Sequence, residues 1–295
     1  MKHLIDELYV PVNKELLAKQ VEKYRAEKSA PCLEDLRKIF ASIDMTTLDV
    51  RDTDEKIEKM CRQVNRLPEV YPDAGTVAGI CVYPVFIPVV KKNLQRKDVS
   101  IVSVAAGFPA AQTFREVKLQ EIEMALEQGA QEIDVVISVG KILSGKTGDA
   151  YEEIREMREV IGGKGHLKVI LESGVLGDPA LVQRAALAAM AGGADFIKTS
   201  TGKIQPAARP EDVLVMAETA RRFYEATGKK TGIKPAGGIA VPAEAFLYLQ
   251  IVRDILGEEW TGPNLFRIGA SRLANNTLES IQEKITGRKQ EVNYF

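Results

Sequence analysis

The 295-residue chain is 45% hydrophobic and 27% charged, and its net charge of −1 gives no reason to expect nucleic acid or an anionic membrane as a partner. A chain this long buries roughly 75% of the surface that its unfolded form exposes, which suits one large α/β barrel or two ordinary domains. Three cysteines (Cys32, Cys61, Cys81) lack paired spacing and two histidines (His3, His166) cannot build a multi-histidine metal centre, so neither a disulfide framework nor such a site is expected, although carboxylate magnesium sites stay open.

Residues 1–40 precede the first strand-like run. Their start, MKHLIDELYV, is charged at Asp6 and Glu7, which argues against a signal peptide. No apolar run is long enough to span a bilayer, and a cytoplasmic setting is expected. Helical patterns cover roughly Lys14–Lys28 and Leu33–Phe40, read as a helical extension capping one end of the fold. Strands are predicted at Ile43–Leu48, Thr76–Tyr83, Ser100–Ala105, Glu132–Ser138, Leu167–Glu172, Asp195–Thr199, Gly232–Pro235 and Phe266–Gly269. Several are near-continuous apolar runs, as parallel strands covered by helices require. Between them, Ile57, Met60, Cys61 and Val64 mark one face of a helix over Asp54–Asn65, capped by Asp52 or Thr53. Further helices are predicted over Thr113–Gln128, Ala150–Ile161, Pro179–Ala191, Pro210–Thr227 and Pro242–Leu256. The last opens at a proline and stops at Gly257. The alternation points to an α/β fold, a (β/α)8 TIM barrel over residues 41–285, with residues 286–295 as a tail. A doubly wound sheet is the alternative.

Active sites of such barrels lie at the carboxyl ends of the strands. The predicted strands place Asp44 and Thr46, Asp134, Lys168 and Glu172, Lys198 with Thr199 and Ser200, Lys234, and Ser271 there. Lysine is almost never fully buried without a partner, so charges of both signs among apolar neighbours imply a mutually paired cluster. Burial and a second nearby ammonium both disfavour a lysine's charged form. Of two lysines on adjacent strands, one can thus serve as a neutral amine that adds to a carbonyl, while the other stays an ammonium. A carboxylate nearby relays protons through water. This is equipment for iminium chemistry, with no metal or cofactor expected. Glycines follow the last strands at Gly202, at Gly237 and Gly238, and at Gly269. They let backbone N–H groups approach an anion, and Lys203 adds a point charge.

Six runs resemble the motifs of deoxyribose-phosphate aldolases and occur in that family's order: AGICVYP (78–84), EIDVV (132–136), LKVILESG (167–174), DFIKTSTGK (195–203), GIKPAGG (232–238) and RIGAS (267–271). The resemblance covers roughly residues 40–275. It implies reversible cleavage of 2-deoxy-D-ribose 5-phosphate to D-glyceraldehyde 3-phosphate and acetaldehyde. It implies Lys198 as the Schiff-base lysine, Lys234 as the second lysine and Asp134 as the acid that helps move protons. Lys168 and Asp44 are implied to line the same polar site, and Thr46 and Thr199, at the strand ends, are further candidates for substrate contact. Gly202, Lys203, Gly237, Gly238 and Ser271 are implied on the phosphate side, and Gly269, from the turn after the last strand, is a further candidate there. A small phosphosugar is then the expected partner, with homo-oligomerisation left open. Two departures stand out. Arg272 follows Ser271 where some members have two serines, and Tyr294 is a candidate for a carboxyl-terminal tyrosine that some members bring to the site. Cys81 reads equally as a core residue or a neighbour of the site.

Residues 140–147, GKILSGKT, also match the P-loop pattern. That reading makes the chain a nucleotide triphosphatase but leaves Lys198 and Lys234 unexplained. A lysine-dependent aldolase acting on a different phosphosugar, and a catalytically dead barrel that senses one, are both compatible with the same residues, because fold does not fix function.

Overall fold

A computed structural model describes residues 1–27 and 30–295. The carboxyl end of the predicted Lys14–Lys28 helix, Lys28, lies outside the described residues.

The eight strands are β1 (Ile43–Thr46), β2 (Gly79–Val82), β3 (Ser100–Ala105), β4 (Glu132–Val136), β5 (His166–Ile170), β6 (Phe196–Lys198), β7 (Gly232–Lys234) and β8 (Ile268–Ala270). All pair in parallel, in the order β7-β6-β5-β4-β3-β2-β1-β8. Parallel bridges Ile233–Phe266 and Ala236–Gly269 join β7 to the β8 segment and complete the barrel. The register sets Asp134 opposite Lys168, Lys198 opposite Lys234 and Asp44 opposite Gly269. Charged side chains therefore meet across the interior. Room for them comes from small neighbours: a Cβ on Gly232 would lie 2.2 Å from the Phe196 ring, and one on Gly269 would lie 2.8 Å from the Ala236 methyl.

β3 has the predicted bounds, and the other seven strands are shorter than predicted. Glu172 takes a left-handed conformation (φ 54°), so β5 cannot reach it. Phe266 makes only a single bridge, and β8 begins at Ile268.

The helices, in chain order, are α1 (Leu4–Glu7), α2 (Lys14–Ala26), α3 (Leu33–Ala41), α4 (Asp54–Val70), α5 (Ile87–Asn93), α6 (Arg115–Gln128) and α7 (Val139–Leu143). Then follow α8 (Thr147–Ile161), α9 (Ser173–Leu176), α10 (Pro179–Ala191), α11 (Pro210–Thr227), α12 (Pro242–Leu256) and α13 (Arg272–Thr286). The predicted bounds of α10, α11 and α12 match. Each opens on a proline, whose missing N–H costs nothing in the first turn, and is followed by Gly192, Gly228 or Gly257. α1, α5, α7, α9 and α13 carried no prediction. The amino-terminal segment runs along the outer helical ring, α1 on α10, α2 on α11 and α12, and α3 on α12 and α13. Its apolar faces (Leu4 and Ile5, Leu17 and Val21, Leu36 with Ile39 and Phe40) are buried there.

Candidate active site

Among the described residues, the barrel interior holds a cluster of seven buried charged side chains. Asp134 on β4 accepts from Lys198 Nζ at 2.7 Å, Lys234 Nζ at 2.8 Å and Lys168 Nζ at 3.2 Å. Lys234 also pairs with Asp44 at 2.5 Å. Arg267 reaches Asp44 at 2.6 Å and Glu132 at 2.8 Å, and Glu132 pairs with Lys168. Lys168 and Arg267 both lie over the Phe196 ring, 5.9 and 5.8 Å from its centre. Asp44, Asp134, Lys168 and Lys234 have no exposure at all, and Lys198 only 2%.

Electrostatics hold most of these groups in their ionised forms. Burial alone would raise the Asp134 carboxyl, but Lys168, Lys198 and Lys234 outweigh it and hold it well below the usual carboxylate range. Asp44 is lowered by Lys234, Arg267 and Lys168 against the same burial, and Glu132 by Lys168 and Arg267. Burial would lower Lys234, yet Asp134 and Asp44 raise it, so it remains an ammonium. Arg267 is likewise raised against burial, by Asp44 and Glu132.

Above this cluster, at the carboxyl ends of the strands, opens a pocket of about 580 Å³. Of the seven charged side chains, Lys198 alone lines it. Thr46, Gly202, Lys203, Gly237, Gly238, Gly269 and Ser271 line it as well. Gly202, Gly237 and Gly238 have φ of 77°, 88° and 84°, a backbone that turns freely only without a Cβ. Asp44, Asp134, Lys168 and Lys234 stand behind Lys198, off the pocket wall. Thr199 is buried, and its hydroxyl bridges β6 to the Ala236 backbone, accepting from the N–H at 2.9 Å and donating to the carbonyl at 3.2 Å. The Lys203 ammonium donates to the Leu48 carbonyl, across the pocket from its own loop.

Sequence reasoning missed Glu132 and Arg267. Glu132 lies two residues before Asp134 and so shares its strand face, a signal the period of two offered. It also left Glu172 without a role. That buried carboxylate accepts from Thr201 N at 3.2 Å and Thr201 Oγ1 at 2.6 Å, which pins the glycine loop after β6 to the end of β5. The same loop is held at its far end by Arg209 and Ser173 on Asp212.

Tyr294 turns its hydroxyl to the Gln63 carbonyl at 2.6 Å, and it is Phe295, beside it, that lines the pocket. Asn275 on α13 accepts from the backbone of both residues, at 3.1 and 2.9 Å. Cys81 is wholly buried, and burial pushes its thiol up to about 11, which leaves it unreactive at neutral pH. The P-loop pattern does not form a phosphate loop. Residues 140–143 lie within α7, where Lys141 N–H and Ile142 N–H donate to the Ser138 carbonyl, and the Lys141 side chain pairs with Glu153 at 2.9 Å.

Residues 38–259 match the model of the DeoC/LacD family of aldolases. The human deoxyribose-phosphate aldolase is 39% identical over 281 residues, covering 92% of this chain and 88% of that protein. A Toxoplasma gondii structure shares the fold, with a TM-score of 0.72 at 23% identity over 86% of this chain and 95% of its own. The tetrameric deoxyribose phosphate aldolase of Aeropyrum pernix aligns with a TM-score of 0.65 at 27% identity, covering 92% of this chain and 99% of its own. By its sequence, on a shared barrel fold, this chain belongs to the DeoC/LacD family of aldolases.

Proposed function

We propose that the chain catalyses the reversible retro-aldol cleavage of 2-deoxy-D-ribose 5-phosphate through a Schiff base on Lys198. The observation that carries this reading is the position of Lys198, the one amine of the charged cluster that lines the pocket. The free amine adds to the aldehyde carbon of the open-chain sugar, and loss of water gives an iminium. The electrons of the C2–C3 bond then flow into the iminium as the C3 hydroxyl gives up its proton. D-Glyceraldehyde 3-phosphate leaves, and the enamine that remains is protonated at C2 and hydrolysed to acetaldehyde. Asp134, paired directly with Lys198 and with the Lys234 ammonium, passes the protons to and from water that enters the pocket beside Lys198. Gly202, Gly237, Gly238 and Ser271 present backbone N–H groups to the phosphate. Three unpaired cysteines fit a reducing cytoplasm, where this reaction serves deoxyribose phosphate catabolism.

Borohydride reduction with 2-deoxyribose 5-phosphate, followed by peptide mapping, tests the reading. The expected product is a two-carbon adduct on Lys198. An adduct on Lys234 would reverse the two lysines, and an active enzyme with no adduct would sink the iminium route.

Glu172→Gln supplies a second test. The amide has one acceptor oxygen for the two donors of Thr201, and such a loss is worth about 1.5 kcal/mol when the acceptor is charged. KM for the phosphorylated sugar should rise about tenfold. Cleavage of unphosphorylated 2-deoxyribose should change far less, and an equal loss on both substrates would refute a role confined to the phosphate loop.

A further inference from the structure

Traced contact by contact, six of the seven buried charges form a closed loop of alternating sign. Asp134 meets Lys234, Lys234 meets Asp44, Asp44 meets Arg267, Arg267 meets Glu132, Glu132 meets Lys168, and Lys168 returns to Asp134. Three carboxylates and three cations cancel. Lys198 is outside the loop, attached through Asp134, and faces the pocket. An ammonium there leaves the interior with one uncompensated positive charge, and a neutral amine leaves it balanced. A buried net charge is expensive, so the closed loop favours the nucleophilic form of Lys198.

We propose that Arg267 and Glu132, which close the loop beneath the site and do not line the pocket, are positioning residues that set the charge state of Lys198. This rests on the Schiff-base reading above. Arg267 hydrogen-bonds both Asp44 and Glu132, and its planar fork is what allows one cation to hold two carboxylates. Lys168, the other cation near both, approaches Asp44 only to 3.9 Å. The other groups facing Lys198 leave this balance unchanged. β2 contributes the Cys81 thiol, neutral because burial raises it. Lys56, Lys59, Lys203, Asp49 and Arg272 lie at the pocket mouth, where solvent screens them. The downward shift of the three carboxyls and the upward shift of Lys234 and Arg267 keep these five groups ionised near neutrality.

The test is the pH profile of kcat/KM for 2-deoxyribose 5-phosphate with wild type, Glu132→Gln, Arg267→Met and the double variant. The substrate's own phosphate titrates identically with all four. Arg267→Met leaves the loop with an excess negative charge, which favours the Lys198 ammonium. Its acid limb should move up by about one pH unit, a tenfold loss at fixed pH on that limb. Glu132→Gln leaves excess positive charge, and its limb should move down. The double variant is neutral again and should return close to wild type. Opposite signs with recovery in the double are beyond a merely structural role, and either single variant tests its own sign. Limbs that do not move, or move together, overturn the proposal. If both singles fail to fold and the double folds, the loop serves stability alone, and the proposal also falls. Borohydride trapping of wild type on Lys198, run alongside, separates this failure from failure of the Schiff-base reading.

Discussion

Lys198→Ala is expected to lower kcat by at least about 10⁴-fold, because the variant retains the phosphate cradle and the loop of charges but has no amine to form the iminium. The fold should survive. Asp134 keeps Lys168 at 3.2 Å and Lys234 at 2.8 Å, so no carboxylate is left unpaired. Its partner Asp134 stays paired with two other lysines, so the loss is mainly that of a cavity open to the pocket, and the melting temperature should stay within about 5 °C of wild type. Aldehyde release by the purified variant, with thermal unfolding as control, measures both quantities. Residual turnover within about 100-fold of wild type would exclude Lys198 as the nucleophile.

Lys234→Leu is expected to reduce the rate by about 10³-fold in a folded protein. Asp44 retains Arg267 and Asp134 retains two lysines, so the loss of stability should be about 1–3 kcal/mol rather than that of a stranded buried charge. The kinetic loss has a definite sign. Without the Lys234 ammonium, the interior balances only when Lys198 is protonated. The amine form then becomes scarce at neutral pH, and activity should recover as pH rises, with the acid limb displaced upward. A variant with the wild-type pH profile would show that Lys234 does not act through the charge of Lys198.

Much of the architecture was legible locally. α10, α11 and α12 run between the residues predicted, because a proline at the first turn and a glycine after the last act within one turn of chain. The eight strands were found because both faces are buried and their apolar runs stand out. Their ends were overrun where the backbone turns away for reasons no window shows, as at Glu172. α13 went unread although Leu273, Ala274, Thr277, Leu278 and Ile281 form its buried face. Asn275 and Asn276, weak helix formers, interrupt that pattern.

The sequence by itself determined the barrel class, the charged strand residues and the glycine turns, since these depend on periodicity and on residue types at neighbouring positions. The tertiary structure alone decided that Lys198 and not Lys234 lines the pocket, and that Arg267 and Glu132, 135 residues apart, share an ion pair. It also committed the Tyr294 hydroxyl to Gln63 and drew Lys203 onto Leu48. Each of these depends on which strand ends meet when the barrel closes. That is a matter of register and closure between distant segments, which local pattern does not encode.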